Sequence, residues 1–515
     1  MIIKSNFTTH NDTGGFSTIE LLIAFSVGII FLTAAMMVSF SDPTLARQIS
    51  LDSGQAAALD VALDNTGLAS STNKMGSTTA ALMKNWSAIL TGDHQGNYKN
   101  VLTTSDISPC IKEIINITQW DNTFGARSRN ITFGTALGSM DIAKALGRGG
   151  CDPLPAGSWD SPKKYPNGAA IPSVNANDIA IVQDSGKRIA VLATTPQGNG
   201  NTSLEDLYTY DVTDPANPSA VLGKIHTGKG LNAIATNGEY VFALQNDSTN
   251  QLQVIRIFDT TKSVSDPAYY APKVVATSSL QNVGGANPEG RSIAYYNNRL
   301  YIGTWNNNVP ATSPEFLIYN VTNPTSPVFL GSNNLRHSVN SIVVKDSYAY
   351  LATTDNVGEL TVMNISTSSS PVVAGRYDLP SSTNDAEEVA VLGTRAYLGL
   401  NRATGGGSEF LIISITAPAN PSLLSGINLG LKNNTKVTGI DAHDNYAFIA
   451  TNVSNEEFRV LDVTNPSGPA IMPCSPYNYS AAVSSLQYFG GYIFLANQVN
   501  ASLRVIYDSN GTSCN

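Results

Sequence analysis

Residues 316–331 read FLIYNVTNPTSPVFLG, an apolar run that ends in a proline-containing turn and is followed by a second short apolar run. Related runs occur at residues 207–215 (LYTYDVTDP), 410–418 (FLIISITAP) and 458–466 (FRVLDVTNP). The runs have the length and the β-branched content of strands, and the Asn/Asp and Pro residues after them favour a turn. The stretch therefore predicts two antiparallel strands, and its recurrence predicts a repeated β unit.

A second strand motif precedes each of these runs and carries one small residue near its end. The small residues are spaced by roughly 46–60 positions and are Ala193, Ala243, Gly303, Ala352, Gly399, Ala450 and Ala496. Seven units of about four strands at this period predict a seven-bladed β-propeller, because closing the ring buries both faces of every blade. We predict a mainly β fold class, with the propeller at residues 175–515.

The copies that read D-V-T-D-P-x-x-P also resemble LVIVD-repeat propellers of secreted and surface proteins. The resemblance covers about residues 175–508. It implies a propeller that serves as an interaction platform more often than as an enzyme.

The N-terminal region contains the stretch GFSTIELLIAFSVGIIFLTAAMMVSF, from Gly15 to Phe40. From Leu21 to Phe40 it has no charge and no proline. Twenty helical residues span about 30 Å, the thickness of the hydrocarbon core of a bilayer. The stretch predicts a membrane-inserted helix with a single carboxylate, Glu20, at its head.

Gly15-Phe16-Ser17-Thr18-Ile19-Glu20 and the apolar run after it resemble the class III signal of type IV prepilins and pseudopilins. The resemblance implies that prepilin peptidase cuts after Gly15, that Phe16 becomes N-methylated, and that Glu20 takes part in assembly. Cleavage creates an ammonium group that can pair with the buried Glu20 of a neighbouring subunit. The first proline is Pro43, whereas many pilins have one within this helix. A plain membrane anchor or a cleaved signal peptide is the alternative.

The predicted domain order is a leader (1–15), a transmembrane stem helix (16–67), a small pilin-like or helical module (68–151), a linker (152–174) and the propeller (175–515). In the module, helical patterns occur at Pro109–Ile115 and Ser139–Leu146, and no strand pattern is clear. In the linker, Ala169–Val174 is the predicted strand that completes the last blade, because too few residues follow the final repeat to supply one.

Composition limits the partners and the chemistry. The net charge of −9 and the pI of about 5.1 disfavour nucleic-acid binding. The four cysteines have no C-x-x-C spacing, which favours disulfides over a zinc site. Of the three possible pairings we favour Cys110–Cys151 with Cys474–Cys514, because each of these disulfides then joins cysteines of the same predicted domain.

No sequence motif of a nucleophilic enzyme, phosphate-binding loop or metal centre is present, so we predict a non-enzyme without cofactor or metal. Asp or Asn residues that end the third strands are expected to bond the backbone of their own turns rather than calcium. These residues are Asp211, Asp259, Asn320, Asn364 and Asp462.

Polar residues at one equivalent position of the first strands form a candidate ligand face at one mouth of the central channel. They are Asn232, Arg291, Asn340, Glu387, Thr438 and Ser484, with His226, Glu289, His337 and Glu388 in the adjacent segments. The structural alternative is that these side chains bond trapped water along the axis.

Together these patterns predict a subunit of a surface pilus or pseudopilus, minor or tip-located, whose propeller binds an extracellular protein or glycan. It would first lie in the inner membrane as a single-pass protein and then on the cell surface, in contact with other pilin subunits. The alternatives are a surface-anchored propeller enzyme, lactonase- or lyase-like, and a major structural pilin with a large head.

Overall fold

The structure is a computed structural model that describes residues 98–108, 111–121, 128–138 and, with short gaps in loops, 159–509. The predicted leader and stem helix lie outside these residues, together with Gly15, Phe16 and Glu20. Within the described part there is no α-helix, only a 3-10 helix at Pro267–Tyr270. No helix of this part is long and apolar enough to cross a membrane.

A three-stranded antiparallel sheet precedes the propeller. Its strands are β1 (Tyr98–Ser108), β2 (Ile111–Asp121) and β3 (Ser128–Gly138), paired in chain order. The helix predicted at Pro109–Ile115 is therefore wrong. Strand β2 contains four Ile residues, whose branched side chains favour strands, and it pairs with a neighbour on each side.

The remaining strands form seven four-stranded antiparallel sheets, which are the blades of the predicted propeller. The first propeller strand in the chain is β4 (Pro162–Lys164), which precedes blade 1. Blade 1 contains β5 (Val174–Asp184), β6 (Lys187–Pro196), β7 (Leu207–Asp211) and β8 (Val221–Ile225). Blade 2 contains β9 (Leu231–Thr236), β10 (Tyr240–Gln245), β11 (Leu252–Arg256) and β12 (Lys273–Ser278). Blade 3 contains β13 (Gly290–Tyr296), β14 (Arg299–Thr304), β15 (Phe316–Asn320) and β16 (Val328–Asn333).

Blade 4 contains β17 (Val339–Lys345), β18 (Tyr348–Thr353), β19 (Leu360–Asn364) and β20 (Val372–Tyr377). Blade 5 contains β21 (Ala386–Leu392), β22 (Arg395–Leu400), β23 (Phe410–Ser414) and β24 (Ser422–Ile427). Blade 6 contains β25 (Val437–His443), β26 (Tyr446–Thr451), β27 (Phe458–Asp462) and β28 (Ala470–Ile471). Blade 7 contains β29 (Val483–Phe489), β30 (Tyr492–Asn497) and β31 (Leu503–Asp508), with β4 as its outer strand.

The first strand of each blade contacts the first strand of the next, and β29 contacts β5, so the ring is closed. The second and third strands are buried on both faces, as in β14 and β15, which explains their nearly continuous apolar sequences. Six of the predicted small residues occupy one equivalent position of the second strands, where they permit close packing of adjacent blades. In blade 2 that position is held by Leu244, one residue after the predicted Ala243. A Cβ atom on Gly303 would lie 2.7 Å from Val339 Cγ1, and one on Gly399 would lie 2.7 Å from Val437 Cβ.

The repeated proline turns pack on the outer part of the preceding blade. In blade 4, a Cβ atom on Gly375 of β20 would lie 2.5 Å from the carbonyl oxygen of Pro418, in the turn of blade 5. Gly331 of β16 is in the same position against the carbonyl oxygen of Ser368, in the turn of blade 4. The turn motif that marks each repeat is thus also a contact between blades.

An N-terminal strand closes the ring, but it is not the predicted one. Strand β4 pairs with β31, with Lys164 opposite Ile506 and Pro162 opposite Asp508. Of the predicted segment Ala169–Val174, Ala169 forms one bridge to Leu503, and Val174 begins β5. The single bridge lies at the first residue of β31, so the predicted segment is the connection from the outer strand of blade 7 to the inner strand of blade 1.

Side chains reinforce the contacts of blade 7 with blade 6 and, across the seam where the ring closes, with blade 1. Trp159, just before β4, is fully buried, and its ring centroid lies 4.7 Å from that of Phe448 in blade 6. Gln487 Oε1 accepts a hydrogen bond of 2.7 Å from the backbone N–H of Ile181 across the seam. The segment that enters the ring is therefore part of its core.

Cys474 lies after β28 and is disulfide-bonded. The other cysteines, Cys110, Cys151 and Cys514, lie outside the described residues. The pairs Cys110–Cys151 and Cys474–Cys514 stay predictions.

Closure by β4 predicts a difference between two matched fragments, one beginning at Asp152 and one at Gly168. The shorter fragment loses β4 and Trp159, so its melting temperature should be lower by at least about 5 °C, as measured by circular dichroism. Equal melting temperatures of the two fragments would show that residues 152–167 contribute nothing to closure.

Candidate ligand site at the channel mouth

The first strands contact one another around the ring, and each contains a β-bulge near its N-terminal end, so the seven extra residues lie at one end of the central axis. The seven bulge residues are Asn177, Asn232, Arg291, Asn340, Glu387, Thr438 and Ser484. The six that the sequence predicted to be equivalent do occupy equivalent positions. We call this set the bulge ring.

Asn177 was missed because the hairpin of blade 1 is longer than the others. Strand β5 has 11 residues and β6 has 10, whereas the corresponding strands β13 and β14 of blade 3 have 7 and 6. An alignment at fixed distance from the small residue therefore passes over Asn177. An alignment of the first strands by the large aliphatic residue two positions after each bulge residue would have found Asn177.

Five bulge residues bond the next blade in one pattern. Each donates a hydrogen bond to the carbonyl oxygen of the residue just before the next bulge. The bonds are Asn177 Nδ2 to Leu231 (2.7 Å), Asn232 Nδ2 to Gly290 (3.2 Å), Asn340 Nδ2 to Ala386 (2.6 Å), Thr438 Oγ1 to Val483 (2.6 Å) and Ser484 Oγ to Ala176 (2.6 Å). For Asn232, Asn340, Thr438 and Ser484, the structure therefore supplies a role in joining blades.

Arg291 and Glu387 are the two bulge residues without this bond among the described contacts. Ser292 Oγ replaces Arg291 as the donor to the carbonyl oxygen of Val339, at 3.0 Å. Glu387, when ionised, has no donor at all. These two positions carry the charged residues of the bulge ring, and they flank blade 4.

The two charged bulge residues meet across blade 4. Arg291 Nη2 lies 3.6 Å from Glu387 Oε2, and Lys436 Nζ of blade 6 lies 2.8 Å from the same oxygen. The guanidinium carbon of Arg291 lies 3.6 Å from the ring centroid of Trp305, which fixes its orientation by a cation–π contact. We call Arg291, Glu387 and Lys436 the charged bar, since they connect blades 3, 5 and 6 at the mouth.

Carboxyl groups also lie on the channel wall below the mouth. Asp178 accepts bonds of 2.8 Å from Ser485 Oγ in blade 7 and from the N–H of Ile234 in blade 2. Asp441 accepts one of 2.8 Å from the N–H of Tyr488 in blade 7. Burial raises the pKa of Asp178, and it raises the pKa of Asp441 to about 6.

Glu388 is a third acid of the first strands whose pKa is raised. Burial, together with the charges of Asp178 and Glu387, raises the pKa of Glu388 to about 8, against an opposing hydrogen bond from Ser341. Asp178 and Glu388 belong to blades 1 and 5, so their interaction places both carboxyl groups toward the axis. At neutral pH the Glu388 carboxyl is therefore mainly protonated.

The predicted histidines His226 and His337 contact residues of the connecting segments and not the bulge ring. His226 Nδ1 lies 2.7 Å from the carbonyl oxygen of Leu204 and 3.3 Å from Asp206 Oδ2. His337 Nε2 lies 3.4 Å from Asp355 Oδ1. In the contacts that the structure describes, neither joins the charged bar.

A repeated buried carboxylate was missed by the sequence reasoning. It immediately precedes the third strand and accepts backbone N–H groups from the connection to the next blade. Glu315 Oε2 accepts from Leu335 at 2.8 Å, and Glu409 Oε2 accepts from Leu429 at 2.7 Å. Asp206 and Glu359 do the same. The signal is an acid directly before the apolar run, as in EFLIYN and EFLIIS.

The residues predicted to bond their own turns do so. The backbone N–H two positions later donates to each side chain, at 2.8–3.2 Å, for Asp211, Asp259, Asn320, Asn364 and Asp462. In the described part of the chain, no group of three or more His, Cys, Asp or Glu residues is arranged to hold a metal.

The raised pKa of Glu388 predicts that stability decreases with pH. The folded state holds this proton more tightly than the unfolded state, so its contribution is complete below about pH 4.5 and is lost as the pH rises through about 8. The melting temperature should therefore decrease between pH 5 and pH 8.5, and Glu388→Gln should flatten that decrease.

A control is Asp346→Asn, because this carboxylate is 57% exposed. It should leave the pH profile unchanged. A profile of Glu388→Gln as steep as that of the unaltered chain would contradict the assignment.

The LVIVD repeat family matches residues 337–379 and 435–473. These ranges correspond to blades 4 and 6. No curated protein sequence matches the chain significantly.

Among solved structures, the chain is similar to a chain of the mitotic checkpoint complex, with 12% identity, a TM-score of 0.44 and coverage of 69% of this chain and 96% of that chain. It is also similar to a chain of the COPII outer coat vertex on membranes, with 12% identity, a TM-score of 0.45 and coverage of 65% and 84%. A third is catalytically inactive virginiamycin B lyase from Staphylococcus aureus with quinupristin, with 12% identity, a TM-score of 0.44 and coverage of 67% and 99%. Similarity at this level carries no argument about function. The chain thus contains LVIVD repeats within a seven-bladed β-propeller.

Proposed function

We propose that this chain is a prepilin-type subunit of a surface filament, and that its propeller binds an extracellular ligand. In this proposal the chain is inserted in the inner membrane, cut after Gly15 by prepilin peptidase, and assembled with other pilin or pseudopilin subunits. It is a minor or tip-located subunit, because the head is much wider than the helix that would pack in the filament.

The observation that carries the proposal is the stretch from Gly15 to Glu20 followed by an uncharged run to Phe40. A carboxylate that enters hydrocarbon costs several kcal/mol unless it is paired. Glu20 therefore needs a cationic partner, and the new N-terminal ammonium of Phe16 on a neighbouring subunit is one.

The position of β4 supports the use of the head for binding. This strand is the outermost strand of blade 7, so the chain enters the ring at its circumference. The entry point leaves the bulge ring at the axis uncovered by β4.

Mass spectrometry of purified surface filaments tests the proposal. We expect peptides of the propeller in the filament fraction, together with an N-terminal peptide that begins at N-methylated Phe16. A mature chain that begins at Met1, or one cut beyond Phe40, would contradict the prepilin assignment.

The matched variant is Glu20→Ala. The cut after Gly15 does not require the inter-subunit charge pair, so this variant should still be cleaved and should fold, but it should be depleted from filaments. Normal incorporation of the variant would contradict the assembly role of Glu20.

A further inference from the structure

We propose that the charged bar and Trp305 form a binding site for a saccharide that carries carboxylate groups. This inference rests on the proposed function of the propeller as a binding domain, and it names the ligand class of that site.

The bulge ring singles out this sector of the mouth. Five of the seven equivalent residues donate a hydrogen bond that joins neighbouring blades. At Arg291 and Glu387 the chain has given up that bond for charged side chains. Natural sequences depart from their own structural rule mainly where function requires it, so these two positions mark the functional sector.

The charges of the bar suit a ligand carboxylate. Two cations, Arg291 and Lys436, share one oxygen of Glu387, and the Arg291 contact is long at 3.6 Å. Arg291 Nη1 has no hydrogen-bond partner among the described residues. A guanidinium presents paired donors that match a carboxylate, so a ligand carboxylate can replace Glu387 with better geometry.

Two other carboxyl groups lie near the bar. Asp385 Oδ2 accepts a hydrogen bond of 3.1 Å from Asn401 Nδ2, and burial raises the pKa of Asp385. Burial raises the pKa of Glu388 to about 8, so its carboxyl is mainly neutral at pH 7. Glu388 therefore adds little negative charge beside the bar at neutral pH.

Trp305 favours a saccharide over an acidic peptide. Arg291 covers part of its ring, and the side chain is still 37% exposed. An aromatic face beside a cationic donor can pack against the C–H face of a sugar ring while the cation binds its carboxylate. An acidic peptide would use the cations but has no need of the ring.

Glu387 acts in this site as an internal substitute for the ligand carboxylate. Removing Arg291 should therefore weaken binding, whereas removing the charge of Glu387 should strengthen it. If the bar only holds blades together, either change would lower the stability of the fold, and the two changes would not alter ligand affinity in opposite directions.

The test is isothermal titration calorimetry of the full chain in detergent at pH 7 with trigalacturonate, an oligosaccharide with one carboxylate on each ring. We expect binding that Arg291→Gln weakens by about tenfold or more, and that Glu387→Gln tightens. Arg299→Gln is the control, since Arg299 begins β14 at the end of blade 3 opposite the bulge. Melting curves show that each variant is folded.

Trp305→Ala should weaken binding without removing it. Neutral galactotriose and triglutamate are the comparison ligands, and each should bind more weakly than trigalacturonate.

Absence of trigalacturonate binding, equal binding of galactotriose or triglutamate, or an unchanged affinity of Arg291→Gln would overturn the inference. These results are separate from the filament test. A chain that is N-methylated at Phe16 and present in filaments, but does not bind trigalacturonate, would overturn this inference alone.

Discussion

The close approach of the inner strands at the axis is the constraint on which the rest of the structure depends. The seven sheets fit around one axis because one side of each contact between blades carries a small residue. The second strand supplies it in six blades, as Gly303 does against Val339, and in blade 2 Gly290 of the next blade supplies it against Leu244. Each first strand then bulges at the mouth, which turns one extra side chain toward its neighbour. The ring is thus built from one contact that is repeated between blades.

Repetition also separates structural residues from candidate functional ones. A single polar residue at a channel mouth has no clear meaning by itself, because polar groups near an axis often bond water or backbone. Seven equivalent positions provide their own reference. Five of them follow the same bonding rule, and the exceptions at Arg291 and Glu387 contact each other. The charged bar is therefore identified by departure from a rule of this chain.

The sequence predicted the features that recur. The number of blades, six of the seven small residues of the second strands and six members of the bulge ring follow from periodicity, because the copies support one another. The closing strand does not recur. The predicted closing segment, Ala169–Val174, is the more apolar of the two candidates. Strand β4, which closes the ring instead, is only three residues long and consists of Pro162 and two Lys residues. Its pairing depends on the edge that β31 leaves open, which no local pattern encodes.

Other misses have physical causes of the same kind. The helix predicted at Pro109–Ile115 is wrong because β2 obtains its partners β1 and β3 by tertiary pairing, which a local pattern does not show. The buried carboxylates before the third strands were not recognised because their acceptors and donors lie about 20 residues apart, as for Glu315 and Leu335. Such a bond becomes visible only when the third and fourth strands of a blade are paired, because the pairing brings the acid beside the connection that leaves the blade.

The most direct measurement of this account compares unfolding free energies of Thr438→Val and Glu387→Gln, obtained from denaturant titrations. Thr438→Val keeps the shape of the side chain but removes the donor to the carbonyl oxygen of Val483, so it should lower the free energy of unfolding by about 1–3 kcal/mol. Glu387→Gln keeps the side-chain shape and an oxygen acceptor for Lys436 Nζ, a side chain that is itself 39% exposed, so it should lower the free energy of unfolding less than Thr438→Val does. A Thr438→Val variant as stable as the unaltered chain, or a Glu387→Gln variant that is the less stable of the two, would contradict the division of the bulge ring into residues that join blades and residues that bind.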